Sequence, residues 1–406
     1  MEEHVYSWIH LLIRLPAFLI RVLLHFMPQD LLAQILDAAL EMNLETYVRI
    51  LTSSAPYLSH NLRNQALDVF RLKRDIRIIN SLARYLKIPQ LRQALAISKE
   101  IDDPTIRAEV IVILFEHSEI LRDVRSKALL YEALAIALSI QNAPACAKAL
   151  AALAPHLTKE LVSQGLTKIS EIQDENIRVL ALTILISRSS RDNLSKDLLI
   201  EAFKIAVKIE KADACIKALD NLIPYLPRDL HDQALLEKVD RLIELGRNTS
   251  ESDYYNIALE AIMKIHDEAL RVDVLTKLAP HLPMELGAKA LSIAQAIQDE
   301  PSRAETLAIL SSQLPSNLLS EALILARKIE NRDARAQALA ALASRLAELP
   351  IRDLYPLWDE TLRYLARRTR DDLITDLEAL EPIIRALGGE EAIIETRRAI
   401  QDVTRW

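Results

Sequence analysis

Two stretches decide the fold: "ALSIAQAIQDEPSRAETLAILSSQLP" at Ala290–Pro315 and "ALILARKIENRDARAQALAALASRLA" at Ala322–Ala347 align without a gap at a shift of 32 residues. Each half of the second copy places apolar residues on one helical face, first Ala322, Leu323, Ala326 and Ile329, and then Ala336, Leu339, Leu342 and Leu346. This pattern predicts a helical hairpin, with helix A followed by helix B.

The same hairpin pattern returns along the chain. Helix A carries a small residue at one position, namely Ala94, Ala133, Gly165, Ala202, Ala258, Ala290 and Ala322. Seven residues later stands an isoleucine, namely Ile101, Ile140, Ile172, Ile209, Ile265, Ile297 and Ile329. Two residues further on, six of seven positions hold good N-caps for helix B, namely Asp103, Asn142, Asp174, Asp267, Asp299 and Asn331, with Lys211 as the exception. The turn between the two helices is therefore encoded locally.

Short hairpins of this kind bury their apolar faces only by stacking on one another. We therefore predict an all-α fold, an α-solenoid of about ten HEAT-like or TPR-like hairpins with a period near 32 residues. Helix B is predicted to end at Ser118, Leu157, Ser189 and Leu226, among other positions, and the intervals from Ser118 to Leu157 and from Ser189 to Leu226 are longer than the 32-residue period.

Five regions are predicted. Apolar helices at 1–28 either start the solenoid or contact a further domain, and repeats follow at 29–226. A candidate hinge at 227–253 consists of an irregular helix and a polar loop at 247–253, further repeats occupy 254–350, and a C-terminal helical cap occupies 351–406.

Composition agrees with helices and limits the classes of function. Five glycines and 4% aromatic residues leave few positions for phosphate-binding loops or base-stacking platforms. A net charge of -7 with mixed signs disfavours nucleic acid as a partner. Two cysteines, Cys146 and Cys215, indicate neither a zinc site nor a disulfide scaffold, and favour a reducing cytoplasm.

The most apolar window is "WIHLLIRLPAFLIRVLLHFMP" at Trp8–Pro28. Two arginines and two histidines lie within it, and Pro16 interrupts it. We expect it to pack against neighbouring helices or a further domain, with attachment to a membrane surface as the less favoured interpretation.

The phrase "AQAIQDEPSRAETLAILSSQLP", the recurrent "LAPHL" and the end "LWDETLRYLARRTRDDLITDLEALEPIIRALGGEEAI" resemble the C-terminal helical repeats of large bacterial signalling proteins. In those families, such repeats follow NACHT or NB-ARC nucleotide-binding switches, or TIR and caspase-like effectors. The resemblance implies a sensor or scaffold, often in defence against phage, that contacts a nucleotide-binding or effector domain. The sequence lacks G-x-x-x-x-G-K-[ST], so the switch itself is not in this chain.

One column at the start of helix B forms a candidate binding ladder, namely Arg107, Arg178, Arg271, Arg303 and Arg335, with Cys146 and Cys215 at the two remaining positions. Regularly spaced guanidinium groups are suited to a polyanion or an acidic peptide. The alternative is that each arginine pairs with a carboxylate of its own or the adjacent repeat and joins neighbouring hairpins.

Histidine carries no recognisable catalytic pattern in this sequence. None of the nine histidines stands in H-x-x-x-H spacing, and those of "LAPHL" occupy a position filled elsewhere by Phe26, Lys87 or Gln313. We predict no catalytic residue, no metal ligand and no cofactor. The favoured function is protein recognition by a non-enzymatic cytoplasmic solenoid. The alternatives are a purely structural scaffold or oligomerisation module and, less favoured, a nucleic-acid-binding solenoid.

Overall fold

A computed structural model describes residues 2–15, 17–117, 127–188 and 194–404. Their regular secondary structure is entirely helical, which confirms the predicted all-α fold. The helix B ends predicted at Ser118 and Ser189 lie outside the described residues. The chain divides into two compact units, Met1–Tyr225 and Leu226–Trp406.

Within the described residues, the first unit is a stack of seven helical hairpins. Helix B packs against helix B of each neighbouring hairpin, and most helices A pack against one another in the same way. In chain order the hairpins are α1 (Glu2–Arg14) with α2 (Ala17–His25), α3 (Gln29–Met42) with α4 (Leu44–Ser54), α5 (His60–Lys73) with α6 (Ile76–Leu82), α7 (Ile88–Lys99) with α8 (Pro104–His117), α9 (Lys127–Leu138) with α10 (Ala143–Leu153), α11 (Lys159–Ser170) with α12 (Glu175–Arg188), and α13 (Lys196–Val207) with α14 (Ala212–Leu222).

The second unit begins with one long helix and continues as hairpins. The long helix is α15 (Arg228–Thr249). It is followed by α16 (Ser252–Ile262) with α17 (Glu268–Leu278), α18 (Gly287–Ala296) with α19 (Glu300–Ser311), α20 (Ser316–Arg327) with α21 (Arg332–Leu346), α22 (Ile351–Leu365) with α23 (Arg370–Ala379), and the terminal α24 (Glu381–Thr404). Each unit is thus an α-solenoid, as predicted, and residues 351–406 contain a further hairpin before the last helix.

The polar loop predicted at 247–253 is shorter than expected. Helix α15 continues to Thr249, and the junction with α16 consists of Ser250, in the left-handed conformation at φ 59°, and Glu251. The chain stays helical this far because Gly246 allows α15 to lie against Tyr255, whose ring would be 2.6 Å from a Cβ at that position. The hinge in 227–253 stays a prediction.

The small residue of helix A is buried at the packing surface of the hairpins. All six alanines of that column are fully buried. At Gly165 a Cβ would meet Leu185 at 3.1 Å. Large side chains beside a small one let the helices approach closely while filling the core, which is the role the sequence pattern predicted.

Several helices B end in a single 3₁₀ turn. The turns include Ala154–His156 and Ala279–His281, where the proline of "LAPHL" stands in the middle. Burial lowers the pKa of His156, and burial together with the charge of Arg247 lowers the pKa of His281. These two histidines therefore mark the ends of helices, as the repeat predicted.

Candidate functional site

The five ladder arginines share one local role in the turn between helix A and helix B. Each donates to the carbonyl of the isoleucine six residues earlier, namely Ile101, Ile172, Ile265, Ile297 and Ile329. Helix ends leave carbonyls without intrahelical donors, and a guanidinium satisfies such groups well. The arginine and isoleucine columns are thus two halves of one turn.

All six predicted N-caps are confirmed. Asp267 accepts the backbone N–H groups of Ala269 and Leu270, and Asp299 accepts that of Ser302. Asp103, Asn142, Asp174 and Asn331 cap their helices in the same way. The Lys211 side chain makes no such bond.

A third set of groups joins neighbouring hairpins. Glu268, the first residue of α17, accepts the backbone N–H groups of Gln298 and Asp299 in the next turn, at 2.9 and 2.8 Å. Glu300 accepts those of Glu330 and Asn331, and Glu175 accepts those of Glu210 and Lys211. We call Glu175, Glu268 and Glu300 the stacking carboxylates.

Two of the stacking carboxylates, Glu268 and Glu300, have a lowered pKa and are held in their ionised form. Hydrogen bonds from the Gln298 and Asp299 amides lower the pKa of Glu268 and outweigh the opposing effect of burial, and the charge of Arg271 lowers it a little further. The Glu330 amide lowers the pKa of Glu300 in the same manner. The contact between hairpins therefore depends on charged carboxylates facing backbone donors.

Carboxylate pairing of the ladder arginines, the alternative to anion binding, is found for Arg335 but not, within the described ranges, for Arg107, Arg178, Arg271 and Arg303. The physical reason is that the carboxylates of each turn already accept other hydrogen bonds. The aspartates cap helix B, and the glutamates accept backbone N–H groups of the next turn. The four half-buried arginines take the carbonyl instead. Anion binding by the ladder stays a prediction.

The two cysteine positions of the ladder are apolar. Both Cys146 and Cys215 are fully buried, and neither forms a disulfide. Burial raises the pKa of Cys146 to about 12, so this thiol stays protonated and unreactive.

Arg335 forms part of the contact that closes the second unit. Its Nε lies 2.8 Å from Asp376 on α23, and both side chains are fully buried. Burial raises the pKa of Asp376, although the hydrogen bond from Arg335 opposes the effect. From the turn before α23, Arg368 donates to the carbonyls of Arg327 and Ile329.

The sequence analysis missed a cluster formed by His231, Asp232 and His266. The Nδ1 atoms of His231 and His266 lie 3.5 and 3.0 Å from Asp232 Oδ1. Asp232 Oδ2 accepts the backbone N–H groups of His266 and Asp267 at 3.1 and 3.2 Å. Burial would raise the pKa of Asp232, but the hydrogen bonds from His266 and from the amides lower it overall. The repeated dipeptide His-Asp, at 231–232 and 266–267, was the signal available in the sequence.

The first hairpin exposes large apolar side chains. Val22 is 54% and Phe26 79% exposed, and Leu11 and Leu19 are exposed as well. No helix in the described ranges has both the length and the apolar character needed to cross a membrane. We call Leu11, Leu19, Val22 and Phe26 the apolar end face.

Comparison with known proteins identifies no family. No protein-family model and no curated protein matches the chain. Among solved structures, a circular tandem repeat protein of novel repeat topology is 15% identical over 100% of this chain and 99% of its own, with a TM-score of 0.24. A mutant of Kap121p is 14% identical over 95% of this chain and 49% of its own, with a TM-score of 0.32. A tubulin-recruiting microtubule polymerase with TOG domain arrays is 12% identical over 90% of this chain and 88% of its own, with a TM-score of 0.29.

Proposed function

We propose that this chain is a non-enzymatic, cytoplasmic protein-interaction solenoid, and that it forms the ligand-sensing or scaffolding part of a bacterial signalling or antiviral defence system. The observation that carries the first half of the proposal is the apolar end face on the first hairpin. The second half rests on the resemblance of the repeat phrases to the sensor regions of such systems.

The apolar end face has the character of a contact surface. The free energy falls when another surface removes exposed apolar side chains from water. Here α1 packs on α3 and α2 packs on α4, yet Val22 and Phe26 remain exposed. Contiguous exposed apolar side chains on a folded protein mark sites of interaction.

The occupant that fits this face is a helical surface of a partner protein. Inside the first unit, helix B of every later hairpin packs on helix B of the hairpin before it. A helical face with apolar side chains at i, i+3, i+4 and i+7 would continue this packing. A nucleotide-binding or effector domain, the partner that the family resemblance implies, can supply such a face.

Two alternatives remain with different partners. In a purely structural scaffold or oligomerisation module, a second copy of this chain covers the apolar end face. A nucleic-acid-binding solenoid is less well supported, because the net charge is -7 and the ladder arginines are engaged by backbone carbonyls.

A comparison of two variants tests the proposal. Native lysate is passed over the immobilised chain, with and without nuclease, for the wild type, the double variant Val22→Asp/Phe26→Asp, and the control Ser292→Asp on an exposed position of α18. We expect a protein that the wild type and the control retain regardless of nuclease, and that the double variant loses.

Sedimentation of the purified chain separates the alternatives. If the wild type self-associates and the double variant is monomeric, with no other protein retained, the oligomerisation module is correct. Retention that disappears with nuclease would support nucleic acid binding. Equal retention by the double variant and the wild type would contradict the role of the apolar end face.

A further inference from the structure

We propose that His231, Asp232 and His266 form a binding site for a divalent transition-metal ion of the zinc type, which joins α15 to the turn between α16 and α17. The three side chains each offer one ligand atom, and these atoms lie within 4.8 Å of one another. This proposal is independent of the proposed function.

The ligand types match the metal. Zinc takes imidazole nitrogen and carboxylate oxygen at about 2.0–2.2 Å and prefers four-coordinate sites. Two imidazoles and one carboxylate supply three ligands and leave a fourth position for water. The imidazole rings lie 5.4 Å apart between centroids with their planes at 66°, and the Nδ1 atoms of both rings lie beside the same carboxylate oxygen, Asp232 Oδ1.

The carboxylate is already oriented for this role. Asp232 Oδ2 is anchored by two backbone N–H groups, and Oδ1 faces the two imidazoles. Metal ligands in proteins are commonly held by such outer hydrogen bonds, which fix their direction and reduce the entropy lost on binding. The Asp232 side chain is 12% exposed and that of His266 is 62% exposed, so an ion can enter from solvent.

Comparison with the other turns shows that the contact between neighbouring hairpins forms without histidines. Glu268 and Glu300 also contact the next turn through two backbone amides, although each of their carboxylate oxygens accepts one amide. The residue that corresponds to His266 in those turns is Gln298 or Glu330, and no imidazole is required there. Asp232 therefore carries the stacking contact, while His231 and His266 supply further ligand atoms on the solvent side.

Binding of Zn²⁺ and Co²⁺ to the full chain tests the site. Titration calorimetry with Zn²⁺ and the visible absorption of Co²⁺ are measured for the wild type, His266→Gln, His231→Ala and the control His60→Ala. His266→Gln installs the residue that stands in the following turn, and His60 is an exposed histidine at the start of α5. These substitutions leave the Asp232 carboxylate in place.

We expect one equivalent of metal in the wild type and the control, with affinity at least about 10-fold weaker in each cluster variant. Zn²⁺ at about 100 times its Kd should also raise the folding equilibrium constant of the wild type about 100-fold, and should do so much less in His266→Gln. The proposal would be overturned if the wild type did not bind one equivalent of metal. It would also be overturned if His231→Ala and His266→Gln bound the metal as tightly as the wild type.

Discussion

The turn that contains Arg303 and the turn that contains Arg335 share one sequence pattern but contact the following hairpin in different ways. In both, the arginine donates to the carbonyl of the isoleucine six residues earlier. In the turn of Arg303 the following hairpin is joined by Glu300, a partly exposed carboxylate that accepts the backbone N–H groups of Glu330 and Asn331. Around Arg335 it is joined by a fully buried ion pair with Asp376.

The difference teaches how a repeating stack is closed. The first residue of α21 is Arg332, where α17 and α19 begin with Glu268 and Glu300, so α21 lacks the stacking carboxylate. The donor is instead Arg368 of the following turn, which reaches back to the carbonyls of Arg327 and Ile329. At the last junction the following turn still supplies the donor, but a side chain there donates to backbone carbonyls, whereas at the earlier junctions backbone amides donate to a side chain. A buried charge pair accompanies this change.

The largest expected effect is on Arg335. We expect Arg335→Ala to lower the free energy of unfolding by about 3–5 kcal/mol, because Asp376 would be left buried without its partner. Urea unfolding followed by circular dichroism measures the loss. The double variant Arg335→Met/Asp376→Leu is the control, since replacing both charges with apolar side chains should recover most of the stability. A double variant as unstable as the single one would show that the charges themselves are not the cause.

A smaller effect is expected at the interior turn. Arg303→Ala removes a hydrogen bond from a half-buried guanidinium to the Ile297 carbonyl, and we expect a loss of about 1–2 kcal/mol. The same urea experiment measures it, and Arg303→Lys, which keeps one charged donor, should recover part of the loss. A loss as large as that of Arg335→Ala would remove the distinction between interior and terminal turns.

The smallest effect at neutral pH is expected for the stacking carboxylates. Glu268→Gln/Glu300→Gln should cost less than about 1 kcal/mol at pH 7, because these side chains are partly solvated. Their pKa values are lowered from the ordinary 4.5 by backbone amides, so their stabilisation is present above pH 4.5 and is lost as the pH falls through the folded-state pKa. We therefore expect the double variant to lose less stability than the wild type between pH 5 and about pH 3.

The contribution of Asp376 to stability changes with pH in the opposite direction to that of the stacking carboxylates. Its pKa is raised from 3.8, so the folded state binds the proton more readily and this group favours folding as the pH falls. Thermal unfolding of the wild type and of Glu268→Gln/Glu300→Gln is measured at several pH values, with Glu391→Gln on α24 as the control. The difference between the wild type and the double variant gives the contribution of the two glutamates, and the contribution of Asp376 remains in the double variant. An acid response unchanged by Glu268→Gln/Glu300→Gln would contradict the role of the stacking carboxylates.

Local hydrogen bonds were the part of the structure that could be predicted. The caps at Asp267 and Asp299 bond to amides two or three residues away, and such contacts follow from helix geometry alone. The carbonyl partner of Arg303 was not predicted even though it is six residues away, because the hydrogen bonds that occupy each carboxylate become apparent only when hairpins are stacked.

The sequence by itself determined the all-α class, the hairpin period and the turn between helix A and helix B, since these depend on apolar periodicity and on contacts within a few residues. The tertiary structure decided the contacts between hairpins. Asp232 meets His266 across 34 residues, and Arg335 meets Asp376 across 41. Both pairs depend on which helix is placed beside which turn, and a long helix such as α15 changes that placement without disturbing any local pattern.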